Sequence, residues 1–315
     1  MDLKIRNLIQ NLPIFGKEPQ KSIELVFLGE ESISEEQEKA VLSTAFEERK
    51  EEKRGENFPL EEEGSFKYLI EYGKMKYLLN VGKTIARKEL NAWLTMTEKN
   101  LSTYRPDIYY IDPTFRFIIS QFYEGYTSLD KLQLSLVDKE IISKYLLEFT
   151  TNLHSITNDE IDVKAVIRNA FMSEIDVFCK EGTLEKEEID SLLSFVNQME
   201  FESNATYNHH ELSMENILYN PETKDTKIIH MQQAKYGEAI YDYIYMIKTI
   251  DKEISNIFLP FIQEADPKVV QVVSFLCDMK IYHKKKKKKE NVQIELQNIH
   301  DQIRVLKEQL APLKR

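Results

Sequence analysis

Short strand-like runs, separated by helical and acidic stretches, recur through the first 124 positions. Beyond Gly125 the apolar positions recur every three to four residues, so the chain passes from strand period to helical period part-way along. A short amphipathic stretch (Leu3, Ile5, Leu8, Ile9, Leu12) ends at Pro13, and Ser22-Ile-Glu-Leu-Val-Phe-Leu-Gly29 predicts a strand. Residues 30–63 are acidic and mixed in sign, which predicts a helix plus an exposed linker. Phe66-Lys-Tyr-Leu-Ile-Glu-Tyr72 and Lys76-Tyr-Leu-Leu-Asn-Val81 pair as a hairpin turning at Gly73-Lys74. A helix follows from about Thr84 to Asn100, with Ile85, Leu90, Trp93, Leu94 and Met96 apolar. Pro106 then resets the chain before strands at Ile108–Ile111 and Phe115–Phe122. Only short strands, near 216–230, interrupt the helical part. The predicted class is α+β: a small antiparallel sheet lobe carrying one helix, joined to a larger helical lobe with a cleft between the two. The expected divisions are an N-terminal extension (1–63), the sheet lobe (64–124), the helical lobe (125–283), and a lysine-rich junction with an amphipathic helix (284–315).

The last segment carries two open readings. Val292, Leu296, Ile299, Ile303, Leu306 and Leu310 form a heptad-like seam that Pro312 stops. It either packs onto the helical lobe or pairs with a second copy or another protein, and so short a seam is marginal by itself. The preceding run Lys284, Lys285, Lys286, Lys287, Lys288 and Lys289 is either a solvated face or an electrostatic dock for an anionic membrane.

Composition narrows the partners. The chain has 315 residues, 42% of them hydrophobic, enough for a sizeable core, and a formal charge of -11, which argues against nucleic acid as its partner. Cys179 and Cys277 lie far apart and read as small buried hydrophobes in a reducing compartment. No apolar run approaches the roughly 18 residues of a membrane span. Met1-Asp-Leu-Lys-Ile-Arg-Asn-Leu-Ile9 lacks a secretory core, so a cytoplasmic soluble protein is expected.

The candidate chemistry sits in Tyr207-Asn-His-His-Glu-Leu-Ser-Met-Glu-Asn-Ile-Leu-Tyr219, with the spacing His209-x-Glu211-x4-Asn216, and in the following Ile228-Ile-His230. Other landmarks fall in order around it: Tyr77-Leu-Leu-Asn-Val81, Arg87-Lys-Glu-Leu90, Gln121-Phe-Tyr-Glu-Gly125, Asn152-Leu-His-Ser155 and Gly237-Glu-Ala-Ile-Tyr-Asp242. With these residues the chain resembles the aminoglycoside phosphotransferase and choline kinase-like branch of the protein-kinase-like superfamily, over about residues 64–280. The resemblance implies a two-lobed kinase-like fold. It also implies a nucleotide-binding position at Asn80, a helix glutamate at Glu89, a base at Glu211, metal-holding positions at Asn216 and His230, and a largely structural Asp242.

Several of these positions depart from the family pattern. Where the family has a phosphate-holding lysine this chain has Asn80, which carries no charge. Lys76 and Lys83 are the nearest lysines in sequence, but Lys76 lies about 13 Å along the strand. Glu211 is one methylene longer than the aspartate it replaces, which disturbs geometry more than acidity. His230 offers imidazole where magnesium prefers hard oxygen. Asn216 alone matches, and no two glycines lie closer than nine residues, so a phosphate-cradling loop is missing. Glu89 is left to find a new partner.

The expectation is therefore a catalytically impaired, pseudokinase-like module that works by binding or scaffolding, with no cofactor and no metal. The chance grouping of His209, His210, Glu211 and His230 is not expected to form a metal site. The alternative is an active phosphotransferase using ATP and magnesium on a small hydroxylated, cationic molecule. There Glu211 is the base, Asn216 a metal ligand, and Glu215 or Asp225 stands in for the lost acid.

Overall fold

The computed structural model describes residues 9, 11–12, 15, 23–28, 34–46, 66–198 and 204–310. The expected N-terminal amphipathic stretch, apart from Ile9 and Leu12, and the linker from 47 to 63 lie outside them. In chain order the elements begin with β1 (Ile23–Phe27), α1 (Glu35–Phe46), β2 (Phe66–Tyr72), β3 (Met75–Val81) and α2 (Lys83–Glu98). Then come β4 (Ile108–Ile111), β5 (Phe117–Gln121), β6 (Thr127–Ser128), α3 (Leu136–His154), β7 (Thr157–Asn158), α4 (Val163–Glu181) and α5 (Lys186–Gln198). After β8 (Ala205–Asn208), β9 (Ile217–Asn220), β10 (Asp225–Ile228) and β11 (Lys235–Gly237), the chain is helical. These last helices are α6 (Ile240–Thr249), α7 (Lys252–Ser255), α8 (Leu259–Glu264), α9 (Pro267–Lys287) and α10 (Gln293–Leu310). The class is α+β, a small antiparallel sheet and a helical region. The contacts divide the chain into two compact units, 1–128 with 218–233, and 129–217 with 234–315.

The sheet unit is built on an antiparallel sheet of order β1-β2-β3-β5-β4. The predicted hairpin forms, with Gly73 at φ 62 supplying the positive φ that a two-residue turn needs. Strict alternation gives the sheet two unlike faces. Tyr68, Ile70, Tyr72, Tyr77, Leu79 and Val81 are buried on one, where Val41, Leu42 and Phe46 of α1 cover them. α1 starts at a reciprocal cap, the Gln37 N–H donating to Ser34 Oγ and the Ser34 N–H to Gln37 Oε1. The other face carries Lys67, Leu69, Lys76, Leu78 and Asn80, all half-buried. β10, β9 and β6 add a second, three-stranded sheet to this unit.

The helical unit has its own core, in which Phe171, Ile175 and Phe178 of α4, Leu192 and Val196 of α5, Ile244 of α6 and Phe275 of α9 are all buried. Helix ends follow local chemistry. Ser135 and Asp138 form a capping box on α3, Asp162 caps α4, and Gly182 closes α4 in the left-handed conformation. α10 lies on α5 and α9, and its Ile299 and Ile303 are buried in the same core, with Val292 and Leu296 packed against it. From 292 to 303 the heptad-like seam is thus folded onto the chain's own helices. The side chains of Leu306 and Leu310 lie outside the described residues. Among the described residues no helix is long and apolar enough to cross a membrane.

Candidate functional site

In the sheet unit the hairpin decides the chemistry. The turn sets Tyr72 opposite Met75, and that register carries through to Lys67 opposite Asn80. Directly opposed residues of an antiparallel ladder project to the same face, so Lys67 and Asn80 stand side by side. Lys67 Nζ donates to His230 Nε2 at 2.9 Å. An ammonium group has no acceptor capacity, so Nε2 supplies its lone pair and the ring proton lies on Nδ1. His230 itself has left-handed backbone, φ 61.

Glu89, on α2, accepts from the backbone N–H groups of Gln232 and Met231, with Arg105 and Lys67 as its neighbouring cations. Burial outweighs all of these and pushes its carboxyl up to about 7. Lys76, about 13 Å along the strand from Asn80, turns to other partners. Lys76 Nζ lies 2.5 Å from Glu124 Oε1 and 4.0 Å from Glu71 Oε1, at the far end of the hairpin. The lysine near Glu89 comes instead from the neighbouring strand.

Beside this group lies a cavity of about 50 Å³ between the sheet and α2, lined by Leu78, Asn80, Glu89, Trp93, Arg105 and Ser120 among others. Asn80 Oδ1, Trp93 Nε1 and Arg105 Nε are buried there without a hydrogen-bond partner among the described residues. Arg105 is held nonetheless: its guanidinium lies 5.0 Å over the Trp93 ring and donates to Pro106 O at 2.8 Å and Thr97 Oγ1 at 2.9 Å. Burial lowers its pKa to about 10. Asp225 is engaged by the Tyr126 hydroxyl at 2.5 Å and Lys227 Nζ at 3.0 Å, which hold its carboxyl below the usual range against the opposing effect of burial.

In the helical unit the loop after β8 is fixed from behind by Asp242. The buried carboxylate accepts from the His209 and His210 N–H groups, each at 2.8 Å, and lies 3.1 Å from His154 Nε2. Burial would raise its pKa, but the His154 bond and these donors more than offset it, so it sits low. The loop then braces itself. The Glu211 N–H donates to His209 Nδ1 at 3.2 Å, and Asn216 Nδ2 donates to the Glu211 carbonyl at 2.7 Å. His210 is buried against Tyr241, ring centroids 4.5 Å apart, with neither ring nitrogen hydrogen-bonded among the described residues, and burial keeps it neutral.

The fold has counterparts among solved structures. A thermostable mutant of aminoglycoside phosphotransferase APH(4)-Ia matches over 90% of this chain and 95% of its own, at TM-score 0.58 and 12% identity. Choline kinase LicA from Streptococcus pneumoniae matches over 76% and 89%, at TM-score 0.54 and 12% identity. A putative fructosamine-3-kinase from Haemophilus somnus 129PT matches over 78% and 88%, at TM-score 0.58 and 12% identity. The chain has the protein-kinase-like fold. No family model and no curated protein matches its sequence. Other structures of these kinases hold AMP, or AMP-PNP with hygromycin B.

Against that kinase-like fold, the side chains present do not fit magnesium well. At the position where the resemblance expects a metal-binding aspartate, His230 presents an imidazole whose Nε2 lone pair is spent on Lys67. An ammonium next to the donor atom also disfavours a divalent cation there. Glu215, a candidate replacement acid, is claimed by lysines: Nζ of Lys284 lies 3.2 Å from Oε2, and Lys288 pairs with Oε1. These partners overcome burial and hold the Glu215 carboxyl low. Lys284 Nζ also lies 3.3 Å from Glu211 Oε1.

The lysine run is therefore largely turned onto the chain itself, with Lys285 on Glu295 at 2.5 Å and Lys286 on Glu181 at 2.6 Å. A cavity of about 460 Å³ opens beside the loop in this unit, lined by Ser213, Glu215, Tyr245, Lys248 and Lys284 among others. Lys67, Arg105 and Lys284 were not legible as site residues by motif. Lys67 could have been found from the two-residue turn, which sets the register, whereas Lys284 and Arg105 come into place only through tertiary packing.

Proposed function

We propose that this kinase-like chain is impaired in phosphoryl transfer and acts as a binding or scaffolding module. The observation that carries the reading is the bond from Lys67 to His230, which spends the donor atom of the replaced metal position on an ammonium group. The Lys284–Glu211 pair adds to it, because a base that must accept a hydroxyl proton is held beside a positive charge. Phosphoryl transfer depends almost wholly on positioning and charge neutralisation, and both are altered here.

One observation favours the other reading, an ATP-dependent phosphotransferase on a small hydroxylated molecule. The loop is braced, Asn216 to the Glu211 carbonyl and Asp242 to two loop N–H groups, and such a loop is positioned rather than collapsed. Structures of like fold hold AMP or AMP-PNP, so adenosine nucleotides are the first ligands to test. Steady-state ADP release with magnesium, across aminoglycoside, choline and ketosamine acceptors, separates the two readings. No acceptor-stimulated release is expected, and release that saturates with one acceptor contradicts the impaired reading.

A further inference from the structure

On the family pattern, the sheet unit would present a lysine, its glutamate partner and a metal-binding aspartate. Such a group carries more negative than positive charge, and a polyphosphate approaches it only with divalent metal. The charges in this chain are different. Asn80 replaces the lysine on β3, and Lys67 stands opposite it on β2, on the same face. A neutral imidazole replaces the carboxylate, and its contact with Lys67 fixes the position of the ammonium group. Arg105 and Lys67 both lie near Glu89, whose carboxyl burial pushes toward its neutral form. Asn80 removes one positive charge and Lys67 restores it from the neighbouring strand, while the imidazole removes the anion that metal would have had to bridge, so the net change on this face is toward positive charge.

We propose that Lys67 is the phosphate-binding cation of this chain and that it receives the phosphates of a nucleoside di- or triphosphate without a divalent metal. The proposal rests on the kinase-like reading above only in taking nucleotides as the ligand. It makes Lys67 a binding residue and requires no transfer step.

Calorimetric titration of the full chain with ADP, in EDTA and again with magnesium, tests it. The expected result is that the wild-type affinities in the two buffers agree within about twofold, and that Lys67→Ala weakens both by on the order of tenfold or more. Lys76→Ala, on the same sheet face but paired with Glu124, should bind as wild type. His230→Asp, which restores the carboxylate, should weaken binding in EDTA and recover it with magnesium. If Lys67→Ala melts early, Lys67→Arg, which keeps the charge, and Lys67→Gln, which keeps most of the length, give the comparison.

Wild-type binding that appears only with magnesium, undiminished binding by a folded Lys67→Ala, or no binding of ADP at all would each overturn the proposal. Phosphoryl transfer measured on the same samples bears on the impaired-kinase reading alone, so the two can fail separately.

Discussion

Lys284 reaches from the last turn of α9 to Glu211, its Nζ 3.3 Å from Oε1, and so couples a lysine of the basic run to the candidate base. Both side chains are about a quarter exposed, 26% each, where water screens the pair. Lys284→Ala should therefore change stability by less than about 1 kcal/mol in urea melts. It should not by itself create transfer activity, because His230 remains. A loss of several kcal/mol would show that the contact is a structural brace and not a screen over Glu211.

Glu89 gives a pH signature. Its folded-state carboxyl lies at about 7 against an ordinary 4.5, so the folded chain holds this proton more tightly than the unfolded chain. Between those values stability falls as pH rises, and by pH 8 the loss is complete. At about 1.4 kcal/mol per unit the whole effect is on the order of 3 kcal/mol. Glu89→Gln keeps an oxygen for the Gln232 and Met231 N–H groups and removes the proton. It should flatten this slope in melts from pH 5 to 8, whereas a slope as steep as that of wild type would mean that another group is responsible.

Asp242 behaves in the opposite sense. Its carboxyl lies below the ordinary 3.8, so the stability it contributes is present above that value and is lost as pH falls further. Asp242→Ala leaves two buried loop N–H groups and His154 without their acceptor. A loss of about 3–5 kcal/mol is expected by chemical denaturation. A nearly neutral substitution would contradict its role as the anchor of the loop.

The C-terminal helix should prove part of the core. Ile299 is fully buried, and Ile299→Ala should cost about 2–4 kcal/mol whatever the protein concentration. A cost that grows on dilution would show that the helix is stabilised by a second chain instead.

How far the sequence could be read depended on the reach of each interaction. The hairpin from Phe66 to Val81, the helix after Gly82 and the strands at 108 and 117 were legible because period, turn and proline all act locally. The loop from His209 to Asn216 was legible from its spacing. Lys67 carries no motif of its own, because the family pattern places the lysine on the strand of Asn80, although the turn at Gly73-Lys74 already implies the pairing. Lys284 could not be read, because a run of lysines looks the same whether it faces water or folds back on Glu211 and Glu215. The seam at 292–303 had the same ambiguity. An apolar stripe has one period whether it meets its own chain or another.

The proposed impairment of conventional phosphoryl transfer is open to direct measurement. It is tested most directly by single-turnover assay of γ-phosphate movement from ATP with magnesium and excess protein, beside Glu211→Ala. The same background is expected for both proteins. Transfer by the wild type that Glu211→Ala abolishes would contradict the proposed impairment.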